Sequence, residues 1–320
     1  MFAKLVRDYR VISEEQLCTD ADLRRQFARA DAWRDCSLTR QRMLEINRLT
    51  LGYFEQQFTP DSWGRHYLAD RFGIDLAEHS IGRHFHPGQA PAGWTNLVNH
   101  LRRQGVTDAE MIITGVASMT ANGRLIDRFR DRVVFPITAP GSAGHGEGQG
   151  AGQGGELEIL GFGGRRHPSL SDRDKNAGPK YLTPDTPLFH KGDQLFGTID
   201  DLLEHGAIPV VVEGPMDALA VTLATAGPTS GSHLGRYVGL APLGTALTEE
   251  QAIALARLFQ ATGRDPIVAT DADLPGHLAA ERDFWILTGV VTIPAKLEGA
   301  RACSPEASQT SSPPMRSASA

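Results

Sequence analysis

The chain has 320 residues, of which 41% are apolar and 22% charged, proportions of a globular protein with enough length for two cores. Its net charge of −6 excludes a protein held to nucleic acid by charge over its whole surface, but leaves room for a local basic groove. No run approaches the ~18 apolar residues of a spanning helix, and Lys4, Arg7 and Asp8 interrupt the N-terminus, so a cytoplasmic location and no membrane partner are expected.

Residues 1–48 scatter Leu17, Leu23, Phe27 and Trp33 among many charges at spacings of short amphipathic helices, a helical lead. The helical pattern continues over 49–71 through Tyr53, Phe54, Trp63, Tyr67 and Leu68, with Pro60 opening a new helix at its first turn. Residues 133–137 and 157–162 read as a pair of strands. Between them, 139–155 is mostly Gly, Ala, Ser and Gln, a flexible insertion within a subdomain spanning 49–199. A phosphate-cradling loop is the weaker reading there, because no helix follows the glycines and no Lys-Ser or Lys-Thr closes them. Cys18, Cys36 and Cys303 lie too far apart for a disulfide framework or a zinc site.

From residue 195 strand and helix alternate: strands at 208–212, 237–240, 267–269 and 290–293, and helices at 216–226, 248–262 and 276–287. Thr248 caps the second of these helices, with Glu250 and Gln251 in its first turn. Apolar strands separated by helices predict an α/β fold with a parallel sheet covered on both faces, over residues 200–294. The Ser-, Ala- and Pro-rich tail, 295–320, is expected to be disordered.

Two acids fall just beyond the carboxyl ends of strands, where open parallel sheets place functional groups: Glu213 after Val212, and Asp271 after Thr270. Gly214 permits a close turn, Asp217 follows Glu213 by four positions, and Asp273 follows Asp271 by two. Single acids at helix starts commonly serve as caps. Four converging carboxylates repel one another without a counter-ion, and hard oxygen donors select Mg²⁺ or Mn²⁺ over zinc. His84 and His86 lack a third partner, and Trp63 and Trp94 have no spacing that suggests a ligand set.

The runs Val212-Glu213-Gly214-Pro215-Met216-Asp217, Leu243-Gly244-Thr245 and Asp271-Ala272-Asp273 resemble the Toprim domain shared by DnaG-type primases, topoisomerases and some nucleases. Upstream, the run 128–137 (RFRDRVVFPI), Gly161-Phe162-Gly163-Gly164-Arg165, Pro179-Lys180-Tyr181-Leu182 and Phe189-His190-Lys191-Gly192 resemble the basic subdomain that precedes Toprim in bacterial primases. The resemblance implies an α+β basic subdomain followed by a Toprim α/β domain. It implies a nucleotidyltransferase making RNA primers on single-stranded DNA from ribonucleoside triphosphates, with a replicative helicase as partner. Glu213, Asp271 and Asp273 would be catalytic, with Asp217 joining them as a metal ligand. Arg130, Arg132, Arg165, Lys180 and Lys191 would line a groove for phosphates, and Tyr181 would stack on a base. Asp127, Asp131, Asp172 and Asp174 dilute that patch.

Against the family's pattern, neither a zinc-binding nor a helicase-interacting domain is expected from this sequence. Where primases carry a further Asp-Pro-Asp motif it reads Ala302-Cys303-Ser304-Pro305-Glu306, which predicts impaired activity. Two alternatives follow: a Toprim nuclease using the same acids to activate water, or an inactive primase-like segment of a plasmid or phage protein that binds single-stranded DNA.

Overall fold

The structure, a computed structural model, describes residues 38–139, 157–171, 174, 178–199, 202–203, 205–224, 237–244, 246–262, 266–271 and 273–291. Most of the expected helical lead, nearly all of the Gly-rich insertion and the whole tail lie outside these residues. Among the described residues no helix is long and apolar enough to cross a membrane.

Helix α1 (Arg40–Gln57) starts where the Thr39 hydroxyl accepts from the Arg42 N–H, and buries Ile46, Leu51 and Phe54. Helix α2 (Trp63–Phe72) begins later than Pro60 suggested. The Ser62 N–H donates to Thr59 O, so Pro60 occupies the second position of a turn, and Ser62 becomes the N-cap residue. Gly73 ends the helix at φ 70°, a conformation that favours glycine.

Strand β1 (Gly88–Ala90) leads into α3 (Asn96–Arg103), α4 (Asp108–Ile113) and the hairpin β2 (Ala117–Met119) and β3 (Leu125–Asp127). Strands β4 (Arg132–Thr138), β5 (Ile159–Arg166) and β6 (Tyr181–Leu182) complete an antiparallel sheet of order β1-β4-β5-β6. The rings of Phe54, Phe129 and Phe162 meet edge to face beneath it, at centroid distances of 5.6 to 6.2 Å.

The expected strand pair is therefore present as β4 and β5. Their open end is closed by the Ala139 N–H donating to Glu158 O (2.9 Å). Replacing residues 141–154 by a short turn should change stability by less than ~1 kcal/mol, because loop closure depends only logarithmically on length. Urea unfolding of the deletion variant checks this; a larger loss would mean that the insertion itself packs.

The second sheet is built from β7 (Leu195–Phe196), β8 (Ile208–Val212), β9 (Tyr237–Pro242) and β10 (Ile267–Ala269), in the order β10-β8-β9-β7. Strand β8 runs parallel to both β9 and β10, as its apolar run predicted, while β7 adds an antiparallel edge. Pro209 lacks an N–H and sits where only β9 runs alongside, since β10 begins opposite Val210.

Helices α5 (Pro215–Ala224), α6 (Glu249–Thr262) and α7 (Leu274–Val291) accompany this sheet. Helix α5 lies so close to β9 that a Cβ on Gly239 would stand 2.3 Å from Ala218 O. Thr222 bonds across that contact, accepting the Gly239 N–H (2.9 Å).

Two expectations about this sheet need correction. Edge strand β10 leaves Ile267 43% exposed, so coverage of both faces is incomplete among the described residues. Val290 and Val291 extend α7 rather than starting a strand. The weak strand preference of two β-branched residues is outweighed by helical bonds propagating from the preceding turns, and 292–293 lie outside the described residues. One core joins the two sheets: Phe58, Leu68, Leu76 and Phe85 pack with Phe135, Phe196, Val211 and Met216. It brings α2 beside the start of α5.

Candidate active site at the carboxyl edge of the second sheet

Glu213 and Asp271 leave the carboxyl ends of adjacent parallel strands, β8 and β10, whose last paired residues are Val212 and Ala269. The Asp271 N–H donates to Glu213 Oε1 (2.9 Å), so the two acids stand side by side with both residues exposed. The Asp271 turn is fixed from behind. A Cβ on Gly276 would lie 2.0 Å from Asp271 O, a close approach only glycine allows, and Thr270 Oγ1 donates to Gly276 O (2.8 Å).

The other two expected acids are held elsewhere. Asp273 accepts the Gly276 N–H (2.8 Å) and so caps α7. Asp217 lies in the first turn of α5 with its Oδ1 3.8 Å from an Arg71 guanidinium nitrogen. Among the described residues no three His, Cys, Asp or Glu side chains converge closely enough to hold a metal ion. The donor chemistry of Glu213 and Asp271 nonetheless suits a hard divalent cation.

A cleft of about 470 Å³ opens beside Glu213 and is lined by Phe135, Arg165, Tyr181, Lys191 and Leu243 among others. Three of the expected phosphate- and base-binding side chains thus share one cavity with the first of the acids. Arg165 lies between two rings, its guanidinium carbon 5.4 Å from the Tyr67 centroid and 5.3 Å from the Tyr181 centroid, and donates to the Tyr181 hydroxyl (2.8 Å). Burial raises the Tyr181 pKa, and the Arg165 cation pulls it partly back. Lys180, outside the cleft lining, is exposed with its Nζ 5.7 Å from the Tyr181 centroid.

Arg132 does not join them, which corrects the expectation that it contacts phosphates. It is 4% exposed, and its guanidinium donates to Gly164 O (3.1 Å) and Pro179 O (2.9 Å). Its neighbour Arg166 donates to Gly178 O (2.7 Å). Burial, reinforced by the Arg166 charge, lowers the Arg132 pKa to about 10. The two guanidiniums are struts that tie the segment before Lys180 and Tyr181 to the first sheet. Arg132→Met should therefore cost about 2–3 kcal/mol of stability by leaving two carbonyls without donors. A variant of normal stability with weakened DNA affinity would restore the phosphate-contact reading.

Arg130 stands apart from the cleft lining. Its guanidinium carbon lies 4.4 Å from the Trp94 centroid and its Nη1 donates to Asp127 O. Trp94 is 62% exposed, yet the loop beneath is fixed by the Asp127 N–H donating to Trp94 O (2.7 Å). This solvent-facing stack gave no ligand-like spacing in the sequence; the available signal was a tryptophan in a Pro-Ala-Gly turn rather than on an amphipathic face.

Two family models match the chain. Residues 53–147 match the family model of the DNA primase catalytic core N-terminal domain, and 210–295 match a Toprim-like model. The DNA primase of Streptomyces coelicolor is 33% identical over 254 residues, covering 77% of this chain and 34% of that protein. The chain thus spans about a third of that relative's length. The RNA polymerase domain of Mycobacterium tuberculosis primase DnaG, solved with double-stranded DNA, superposes with a TM-score of 0.58 at 32% identity, covering 76% of this chain and 68% of that one. A DnaG primase catalytic domain bound to single-stranded DNA superposes with a TM-score of 0.55 at 29% identity, covering 76% and 67%.

Proposed function

Because the chain belongs to the DnaG-type DNA primases, over the region of their catalytic core, we propose that it joins ribonucleotides into short primers on a single-stranded DNA template. The observation that carries this reading is the shared cavity, whose lining Glu213 shares with Arg165, Tyr181 and Lys191. An acidic edge alone would serve a nuclease equally well. An acidic edge opposite a cationic, aromatic wall suits a triphosphate with its base.

Arg165 and Lys191 bind the triphosphate oxygens, the first as a fork oriented by its two tyrosines and the second as a point charge. Tyr181 supplies a ring face for a base. Glu213 and Asp271 are the residues that would hold a Mg²⁺ or Mn²⁺ ion. Asp217, beside Arg71, and Asp273, at the α7 cap, are the further carboxylates that would join them. A bound divalent ion supplies charge neutralisation at the triphosphate and a lowered pKa at an attacking 3′-hydroxyl. The Trp94–Arg130 stack, exposed and outside the cleft, offers template bases a platform combining a ring face and a cation.

End-labelled single-stranded DNA incubated with ribonucleotides and Mn²⁺ tests this reading against its rival. New oligoribonucleotides with intact template support primer synthesis; shortened template without new RNA would identify a nuclease.

A further inference from the structure

Thr248-Glu249-Glu250-Gln251 opens α6 with the spacing of a capping box, in which the first and fourth side chains each bond the other's backbone N–H. Both bonds are present: the Thr248 N–H donates to Gln251 Oε1 (3.0 Å) and the Gln251 N–H to Thr248 Oγ1 (3.2 Å). A capping box needs only an acceptor at its fourth position, so Glu would serve as well as Gln.

Gln251 has a second set of bonds that Glu could not make. The side chain is 0% exposed, and its Nε2 donates to Lys191 O (2.9 Å) and to Gln194 O (2.7 Å). The Thr248 hydroxyl donates to Gly192 O, in the same turn. Three carbonyls of residues 191–194 are thus held by the first turn of a helix some sixty residues later. Lys191, one of the residues lining the cleft beside Glu213, heads that turn.

We propose that Gln251 is a positioning residue that sets Lys191 in the cleft, its amide chosen over a carboxylate because the turn requires two donors. This role rests on the triphosphate-binding reading of Lys191. A buried glutamine with every polar atom engaged holds its rotamer firmly, so the backbone it bonds is held with it.

The test is a double-mutant cycle on binding of a fluorescent ribonucleoside triphosphate in Mn²⁺, with Gln251→Glu, Lys191→Ala and the double variant. Gln251→Glu keeps the helix cap but turns an oxygen toward two carbonyls. Lys191→Ala is expected to weaken binding about tenfold and Gln251→Glu about fivefold. The double variant should be no weaker than Lys191→Ala, because the clamp acts only through that lysine. Additive losses, or normal binding by Gln251→Glu beside a weakened Lys191→Ala, would overturn the clamp alone. Normal binding by Lys191→Ala would overturn the phosphate reading and the clamp together. Unfolding midpoints are recorded for each variant. If Gln251→Glu does not fold, Thr248→Val, which removes the bond to Gly192, carries the same cycle with the same expected signature.

Discussion

Glu213→Gln is expected to lower ribonucleotide transfer by about 10²- to 10³-fold, the scale of losing one group that stabilises charge at a reacting centre. The substitution keeps size and shape, and the amide oxygen can still accept the Asp271 N–H that Glu213 accepts now. Fold and DNA affinity should therefore survive, and the thermal midpoint should stay level or rise slightly as one of two adjacent like charges is removed. Asp271→Asn should behave the same way. Steady-state transfer measured beside a thermal melt separates the outcomes. Activity within a few-fold of wild type for both variants would remove the metal-site assignment.

Arg165→Ala should weaken triphosphate binding by about 10- to 50-fold, a larger effect than a solvated surface arginine gives. Two losses combine: a phosphate-binding fork disappears, and Tyr181 loses both its hydrogen bond and the cation against its ring. Lysine at this position should recover little, since it offers no planar fork and reaches the rings differently. The dependence of affinity on salt should also flatten, because one fewer counter-ion is released. Titration of a labelled nucleotide at two salt concentrations measures both quantities. An unchanged affinity and salt slope would return Arg165 to the status of a surface charge.

The parts of this molecule that were legible in the sequence are those governed by local pattern. Strand β8 was readable because a buried parallel strand is a continuous apolar run, and the shorter apolar run of the exposed edge strand β10 was readable beside it; together they put Glu213 and Asp271 beyond carboxyl ends. The cap of α6 was readable because capping chemistry has a fixed spacing. What the sequence withheld depends on long-range packing. Arg132 and Arg165 are both arginines in strand-forming text, yet one is consumed by main-chain carbonyls and the other faces a cleft. The amide of Gln251 bonds carbonyls some sixty positions away, and no local pattern encodes such a partner. Asp217 and Asp273 had the right spacing for a shared cation and stand one beside Arg71 and the other at a helix terminus. Spacing could not decide between those roles.

On the reading proposed above, the acidic edge and the cleft beside it form one centre for nucleotidyl transfer. Oligoribonucleotide yield on a single-stranded template, measured against Mn²⁺ concentration for the wild type and Glu213→Gln in parallel, tests it most directly. Wild-type products should rise and saturate in roughly the millimolar range, as expected for a site with few acidic ligands, with none above background from the variant. Equal yields from both proteins, or no product from a DNA-bound wild type at any Mn²⁺ concentration, would contradict it.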